Sequence, residues 1–183
     1  PPVSDSVYLV LNKPRGVVSA MSDPHSKRTL SDFVNDRPER LFHVGRLDTD
    51  TEGLIILTND GEFAHRLAHP SYEVDKTYVA EVEGLAGKPL LAALGHTVQL
   101  EDGPVDVSQA RVLSRHGSKS IVELTIHEGR NRIVRRLLAH LGHPVLQLTR
   151  TRIGPIKLGT LRSGQLRTLT ASELGDLLDV ASL

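Results

Sequence analysis

Residues 43–61 read HVGRLDTDTEGLIILTNDG, and this stretch decides the predicted fold. The compact apolar run Leu54–Leu57 is typical of a buried strand at the centre of a sheet, and Leu41–Val44 predicts a second strand ahead of it. The polar segment Gly45–Glu52 lies between these strands and carries three acids, namely Asp48, Asp50 and Glu52. Catalytic side chains often lie on loops that a rigid strand framework holds, although a solvated acidic turn is an equally good interpretation of this pattern alone.

The rest of the sequence contains both strand and helix patterns, which predicts an α+β fold with a large mixed, mainly antiparallel sheet flanked by helices. Further strands are predicted at Tyr8–Leu11, Tyr78–Val82, around Val98, Val105 and Val112, at Ile121–Leu124 and at Val145–Leu148. Helices are predicted at Thr29–Val34, Glu62–His69 with a stop at Pro70, Lys88–Leu94, Asn131–Leu141, and after the capping box Thr170–Glu173. We expect the 183 residues to form a single domain spanning 1–183, because no linker or repeat interrupts them.

Charge is distributed unevenly along the chain, although 22 basic and 22 acidic residues cancel overall. From Arg111 to Arg167 there are 12 Lys or Arg and two acids, so the rest of the chain holds 10 basic and 20 acidic residues. A basic half favours one positive face, which is typical of a protein that binds a phosphate backbone. The alternative is that these arginines are scattered over the surface and solvated.

Several classes of protein are excluded or disfavoured by what the sequence lacks. Cysteine is absent, which excludes disulfides and thiolate metal sites. Phosphate-binding glycine loops and the serine-nucleophile elbow are also absent. No apolar run is long enough to span a bilayer, and residues 1–5 carry no basic segment followed by an apolar one. We therefore expect a cytoplasmic protein with no membrane attachment.

Several short motifs follow one another in order along the chain. The stretch quoted above contains Gly45–Asp48, Thr51–Leu54 and Thr58–Gly61, while Lys13–Gly16 precedes it. Later motifs are His69-Pro70, Lys76–Tyr78, Glu128–Arg132, Val134–Arg136, Gly142-His143, Leu148, Arg150 and Ile153–Pro155. From about Tyr8 to about Thr170, these motifs together resemble those of the RsuA/RluB/RluE/RluF family of rRNA pseudouridine synthases. One departure is Ile133, where that family usually has glutamine.

The resemblance implies an isomerase that converts a specific uridine of rRNA to pseudouridine without a cofactor. Large-subunit rRNA is the preferred substrate, and small-subunit rRNA is the alternative. The implied fold is that of the pseudouridine synthase catalytic domain with a central cleft. This chain would be the catalytic domain alone, without the N-terminal S4-type RNA-binding module that most relatives carry, and it would act as a monomer.

The resemblance also assigns roles to individual residues. The implied catalytic residues are Asp48, Tyr78 and Arg135. Asp48 is the essential carboxylate, Arg135 is its ion-pair partner, and Tyr78 stacks on the flipped base and handles a proton with its hydroxyl. The remaining residues are expected to contact the substrate, with Leu148 closing the apolar side of the pocket and these cations meeting the RNA: Lys13, Arg15, Arg46, Arg130, Arg132, Arg150 and Arg152. No metal is expected, and whether Asp48 attacks the sugar or the base, or acts by a glycal route, stays open.

Two other functions fit parts of the sequence. A metal-dependent nuclease or phosphotransferase could use Asp48, Asp50 and Glu52 as ligands of Mg²⁺. A non-catalytic rRNA-binding or assembly factor would need only the basic half of the chain.

Overall fold

A computed structural model describes residues 6–25, 28–69, 71 and 73–181. The chain divides into two units, of which the first holds the residues up to Val74 and from Arg152 onward, and the second holds Asp75–Thr151. The predicted helix stop at Pro70 and the N-terminal residues 1–5 lie outside the described residues. A single domain over residues 1–183 stays a prediction.

The described residues form eleven strands, four α-helices and one 3-10 helix. The strands are β1 (Tyr8–Lys13), β2 (Phe42–Val44), β3 (Thr51–Thr58), β4 (Lys76–Glu83), β5 (Val98–Leu100), β6 (Gly103–Val105), β7 (Val107–His116), β8 (Lys119–Ile126), β9 (Val145–Ile153), β10 (Ile156–Lys157) and β11 (Leu166–Thr168). The α-helices are α1 (Gly61–Ala68), α2 (Lys88–Leu94), α3 (Ile133–His140) and α4 (Ala171–Val180), and a 3-10 helix covers Leu30–Phe33.

The first unit is organised around β3, which pairs antiparallel with both β1 and β2. β11 adds to the other edge of β1, also antiparallel. The run Leu54–Leu57 is fully buried, and its side chains point alternately into two apolar clusters. One cluster includes residues of α1 and α4, and the other includes Leu30 of the 3-10 helix. A strand that is covered on both faces needs a continuous apolar sequence, which explains why this run does not alternate.

The second unit contains an antiparallel arrangement of β4, β8 and β7, with β9 beside β4. Alternate residues of β4 and β8 are buried, which is the pattern of a sheet packed on one face. That face shares one core with α2 and α3, and a separate hairpin of β5 and β6 contributes to the same core. The buried residues of the two helices are Leu90, Leu94, Ile133, Val134, Leu137 and Leu138.

The predicted α+β class with a mainly antiparallel sheet is confirmed, while some element boundaries differ. β9 continues beyond Leu148 to Ile153. The prediction ended it at Leu148 because residues 149–152 are polar and show no apolar pattern. The helix predicted from Asn131 begins at Ile133, since Arg132 has left-handed backbone angles (φ 53°). None of the helices in the described residues has the length and apolar character needed to cross a bilayer. The central cleft stays a prediction.

Candidate active site

The loop between β2 and β3 carries Asp48, and hydrogen bonds fix its backbone on both sides of that residue. Ser19 bonds Leu47 twice, since its Oγ accepts from the Leu47 N–H (3.0 Å) and donates to the Leu47 carbonyl (2.6 Å). On the other side, the Thr51 N–H donates to the Asp48 carbonyl (3.0 Å). Leu47 is buried and Asp48 is half-buried, so the loop holds a partly accessible carboxylate on an ordered backbone.

Lys13 ties this loop to the turn that follows β1. Its side chain has no exposed surface, and its ammonium donates to the carbonyls of Val17 (2.7 Å), Pro14 (3.0 Å) and Thr49 (3.5 Å). The Gly16 N–H donates to the same Thr49 carbonyl (2.8 Å). The residue after Asp48 is therefore held from both the side chain and the backbone of the Lys13–Gly16 motif.

Burial has a large effect on the pKa of Lys13. Desolvation lowers its pKa to about 8, while the carboxylates of Asp50, Glu52 and Asp48 oppose this shift. These carboxylates favour the ammonium form, which is the form that donates to the loop carbonyls. The structure gives no support to the predicted contact of Lys13 with RNA, because this side chain has no exposed surface and donates to the loop carbonyls instead. The contact stays a prediction.

The motifs of the first unit also contain two arginines that are exposed, whereas Lys13 is buried. Arg15 and Arg46 both lie at the surface, Arg15 beside Gly16 and Arg46 two residues before Asp48. Their contact with RNA stays a prediction.

In the residues that the structure describes, no three His, Cys, Asp or Glu side chains are grouped so that they could hold a metal ion, so the nuclease alternative gains no support. The half-buried Asp48 has the chemistry of a nucleophile or a general base.

In the second unit, Tyr78 and Leu148 belong to one apolar cluster. Tyr78 lies in β4 opposite Leu124 of β8 and is 8% exposed, and Leu148 of β9 is 4% exposed. Ile133 and Val134 of α3 complete the same cluster. Ile133 is thus accommodated as a core residue, which explains how an apolar side chain replaces the usual glutamine.

Arg130 is engaged by acids of its own unit. Its Nε and one terminal nitrogen donate to the two oxygens of Glu128 (2.6 and 2.9 Å), forming a bidentate pair. Its other terminal nitrogen donates to Asp102 Oδ1 (3.2 Å). We therefore assign Arg130 to internal bonds, and its predicted contact with RNA gains no support.

The other arginines of the predicted site differ in exposure. Arg132 is exposed at the start of α3, and Arg135 is half-buried on the first turn of that helix. Arg150 is only 4% exposed, so a direct phosphate contact is not supported for it. Arg152 is exposed, and its Nε donates to the Gly154 carbonyl (2.8 Å). Arg135 and Asp48 belong to different units, and their ion pair stays a prediction.

Sequence reasoning missed some residues that organise these segments. Ser19 has no distinguishing pattern around it, because a serine after a turn is ordinary in sequence. Asp102 and Arg136 bond each other (2.8 Å), although the sequence gives Asp102 no signal beyond the turn chemistry of an Asp-Gly pair. Contacts between residues far apart in the chain leave no local signal.

Comparison with known proteins gives consistent matches. A family model described as RNA pseudouridylate synthase matches residues 7–140. Ribosomal large subunit pseudouridine synthase B of Bacillus subtilis is 47% identical over 172 residues, covering 93% of this chain and 70% of the relative. Ribosomal large subunit pseudouridine synthase E of Xanthomonas campestris is 40% identical over 178 residues, covering 88% of this chain and 94% of the relative. A crystal structure of a pseudouridylate synthase superposes with a TM-score of 0.78 at 34% identity, covering 94% of this chain and 74% of that one.

Proposed function

This chain belongs to the RNA pseudouridylate synthase family, and we propose that it isomerises a specific uridine of large-subunit rRNA with Asp48 as the essential carboxylate. The family match, which extends across the Asp48 loop, is the observation that carries this proposal. Two relatives whose names specify the ribosomal large subunit support that choice of substrate over small-subunit rRNA.

The reaction breaks the bond between N1 of uracil and C1′ of ribose and forms a bond between C5 and the same C1′. The proton that leaves C5 is balanced by the proton gained at N1, so no atom is added and no cofactor is required. A carboxylate can assist either as a nucleophile or as a base during detachment of the ring. Asp48 suits both roles because hydrogen bonds hold the loop around it: Ser19 bonds the backbone of Leu47, and the Thr51 N–H donates to the Asp48 carbonyl. A fixed reacting group avoids the entropic cost of ordering it in the transition state.

The residues of the second unit supply the other part of the proposal. Arg135 pairs with the Asp48 carboxylate and offsets the cost of holding that charge away from water. Tyr78 stacks on the flipped base and Leu148 closes the apolar side of the pocket. Extraction of the base from its stack costs about a few kcal/mol. Contacts between exposed arginines and phosphates supply the binding free energy that offsets this cost.

The exposed arginines Arg15, Arg46, Arg132 and Arg152 are the proposed phosphate contacts. We also propose that the protein is a monomer and acts in the cytoplasm.

The test compares Asp48→Asn with Asp50→Asn, since both changes remove one negative charge from the same loop. Pseudouridine formation in large-subunit rRNA should fall by about 10⁴-fold or more for Asp48→Asn, as expected when an essential reacting group is removed. The Asp50→Asn variant should stay within a few-fold of the unmodified protein. Both variants should bind the RNA with unchanged affinity, which separates chemistry from binding.

Other outcomes would support the competing functions. If the unmodified protein binds rRNA but converts no uridine, the assembly-factor alternative is favoured. If it cleaves RNA and EDTA abolishes that activity, the nuclease alternative is favoured. If Asp48→Asn and Asp50→Asn convert uridine equally well, Asp48 is not the essential carboxylate.

A further inference from the structure

The turn between β5 and β6 lies against the segment that leads into α3. At this turn Gly103 has a φ of +130°, and a Cβ at that position would lie 3.3 Å from a terminal nitrogen of Arg130. A glycine is therefore favoured by its backbone angles, and the Arg130 guanidinium lies close against it. The hairpin is anchored by apolar side chains that share one buried core with α3, namely Val98, Leu100 and Val105 with Ile133 and Leu137.

Asp102, the residue before that glycine, binds two arginines with one carboxylate oxygen. Its Oδ1 accepts from Arg136 at 2.8 Å and from Arg130 at 3.2 Å. Arg130 also donates to the carbonyls of Asp102 (3.2 Å) and Pro104 (2.7 Å). Glu128 accepts from Nε and the second terminal nitrogen of Arg130. The carboxylates of Asp102 and Glu128 therefore balance the charges of the two guanidinium groups.

The same two arginines enclose a strained piece of backbone. Arg132, between them in sequence, has a φ of 53°, a left-handed conformation that is unfavourable for a residue other than glycine. The Ile133 N–H donates to the Arg130 carbonyl (3.1 Å), and Arg136 Nε donates to the Asn131 carbonyl (2.9 Å). Strained residues persist where their surroundings hold them, and here the surroundings are fastened to Asp102.

We propose that Asp102 is a positioning residue, which holds Arg130 and Arg136 so that the exposed Arg132 is directed toward an RNA phosphate. This inference rests on the proposed function, because Arg132 is one of the RNA contacts proposed above. It divides the arginines of this segment into two kinds. Arg130 and Arg136 act on the protein, and Arg132 acts on the substrate.

The hydrogen bond from Arg136 lowers the pKa of Asp102, so the carboxylate stays charged at neutral pH. Simple electrostatics and positioning therefore predict opposite effects when this acid is removed. Loss of a negative charge near RNA should strengthen binding if the acid only repels phosphates. If the acid positions Arg132, its loss should weaken binding.

The experiment measures the affinity for an rRNA fragment of Asp102→Ala and Asp102→Asn, each with and without Arg132→Ala. We expect Asp102→Ala to weaken binding about five- to tenfold, which is close to the effect of Arg132→Ala and to the loss of one phosphate contact. The double variant should bind no more weakly than Arg132→Ala alone, because both changes remove the same contact. Asp106→Asn is the matched control, since it removes an exposed acid next to the same hairpin, and its affinity should be unchanged or slightly higher.

The proposal is overturned if Asp102→Ala binds RNA as tightly as the Asp106→Asn control. It is also overturned if Asp102→Ala weakens binding equally in the presence and absence of Arg132. Should Asp102→Ala fail to fold, Asp102→Asn is carried through the same cycle. It keeps the shape of the side chain but removes the carboxylate charge that holds the two arginines, so it should weaken binding in the same direction. Uridine conversion is measured in parallel, with kcat expected within about twofold and KM raised. A protein that converts no uridine contradicts the proposed function, while the affinity cycle still decides the role of Asp102.

Discussion

A lysine without exposed surface, Lys13, stands at the end of β1 and holds the loop of the proposed catalytic acid. Its ammonium donates to three backbone carbonyls, of which the Thr49 carbonyl belongs to the residue after Asp48. An ammonium group can donate to three acceptors at once, whereas an apolar side chain would remove the donor from all three carbonyls, including the buried one of Val17. The cost of this arrangement is the desolvation of a positive charge, which is visible in the lowered pKa of Lys13.

The pH dependence of stability should reveal that buried charge. The pKa of Lys13 is about 8 in the folded protein against 10.5 for the ordinary group, so the unfolded chain binds more protons between these values. The free energy of unfolding should therefore rise with pH across this window, relative to Lys13→Met, by at most about 1.4 kcal/mol per pH unit. Urea unfolding below, within and above the window measures this difference. The exposed Lys88→Met is the control, and an equal slope for both variants would contradict the prediction.

The motifs could be identified from the sequence, but the exposure of their side chains could not be predicted from it. The Lys13–Gly16 motif offers two cations, and both were expected to meet RNA. The structure buries Lys13 and exposes Arg15, because strand β1 ends inside the unit and the turn after it reaches the surface. Whether a cation serves the protein or its ligand depends on tertiary packing that local sequence does not encode.

At the scale of elements, the capping box that begins α4 is a feature that sequence predicts well. Thr170 Oγ1 accepts from the Glu173 N–H (3.0 Å), and the Glu173 carboxylate accepts from the Thr170 N–H (2.9 Å). Arg167 adds a bidentate pair to Glu173 at 2.7 and 2.9 Å. The box involves neighbours in sequence and was predicted, whereas the arginine comes from β11, a strand of three residues that is too short to show a pattern.

Removal of the cap should destabilise the protein modestly. Thr170→Ala removes the side-chain acceptor for the first turn of α4, and we expect the free energy of unfolding to fall by about 1 kcal/mol. Ser172→Ala changes an exposed residue of the same turn and should stay within about 0.5 kcal/mol of the unmodified protein. Chemical unfolding of the two variants measures the difference. Equal stability for both would mean that the cap hydrogen bond contributes nothing to folding.

Across the whole molecule, the sequence overstates the charge that is available to RNA. The basic half from Arg111 to Arg167 holds 12 Lys or Arg, which indicated one positive face. Several of these side chains are engaged by acids: Arg111 with Glu123, Arg130 with Glu128 and Asp102, Arg136 with Asp102, and Arg167 with Glu173. A count of charges cannot separate cations that pair with acids of the protein from cations that meet phosphate. RNA affinity should therefore depend on a small number of exposed arginines.

The salt dependence of RNA binding measures how many cations meet phosphate. Each phosphate contact contributes about 0.7–0.9 to the slope of log affinity against log salt. Arg46→Ala, a change at an exposed residue of the Asp48 loop, should reduce that slope by the contribution of about one contact. Lys13→Met removes the same charge from a buried position and should leave the slope unchanged, as should Arg111→Ala, whose guanidinium is paired with Glu123. A lower slope for Lys13→Met would mean that its ammonium reaches RNA in the complex, and the loop-positioning role would then be wrong.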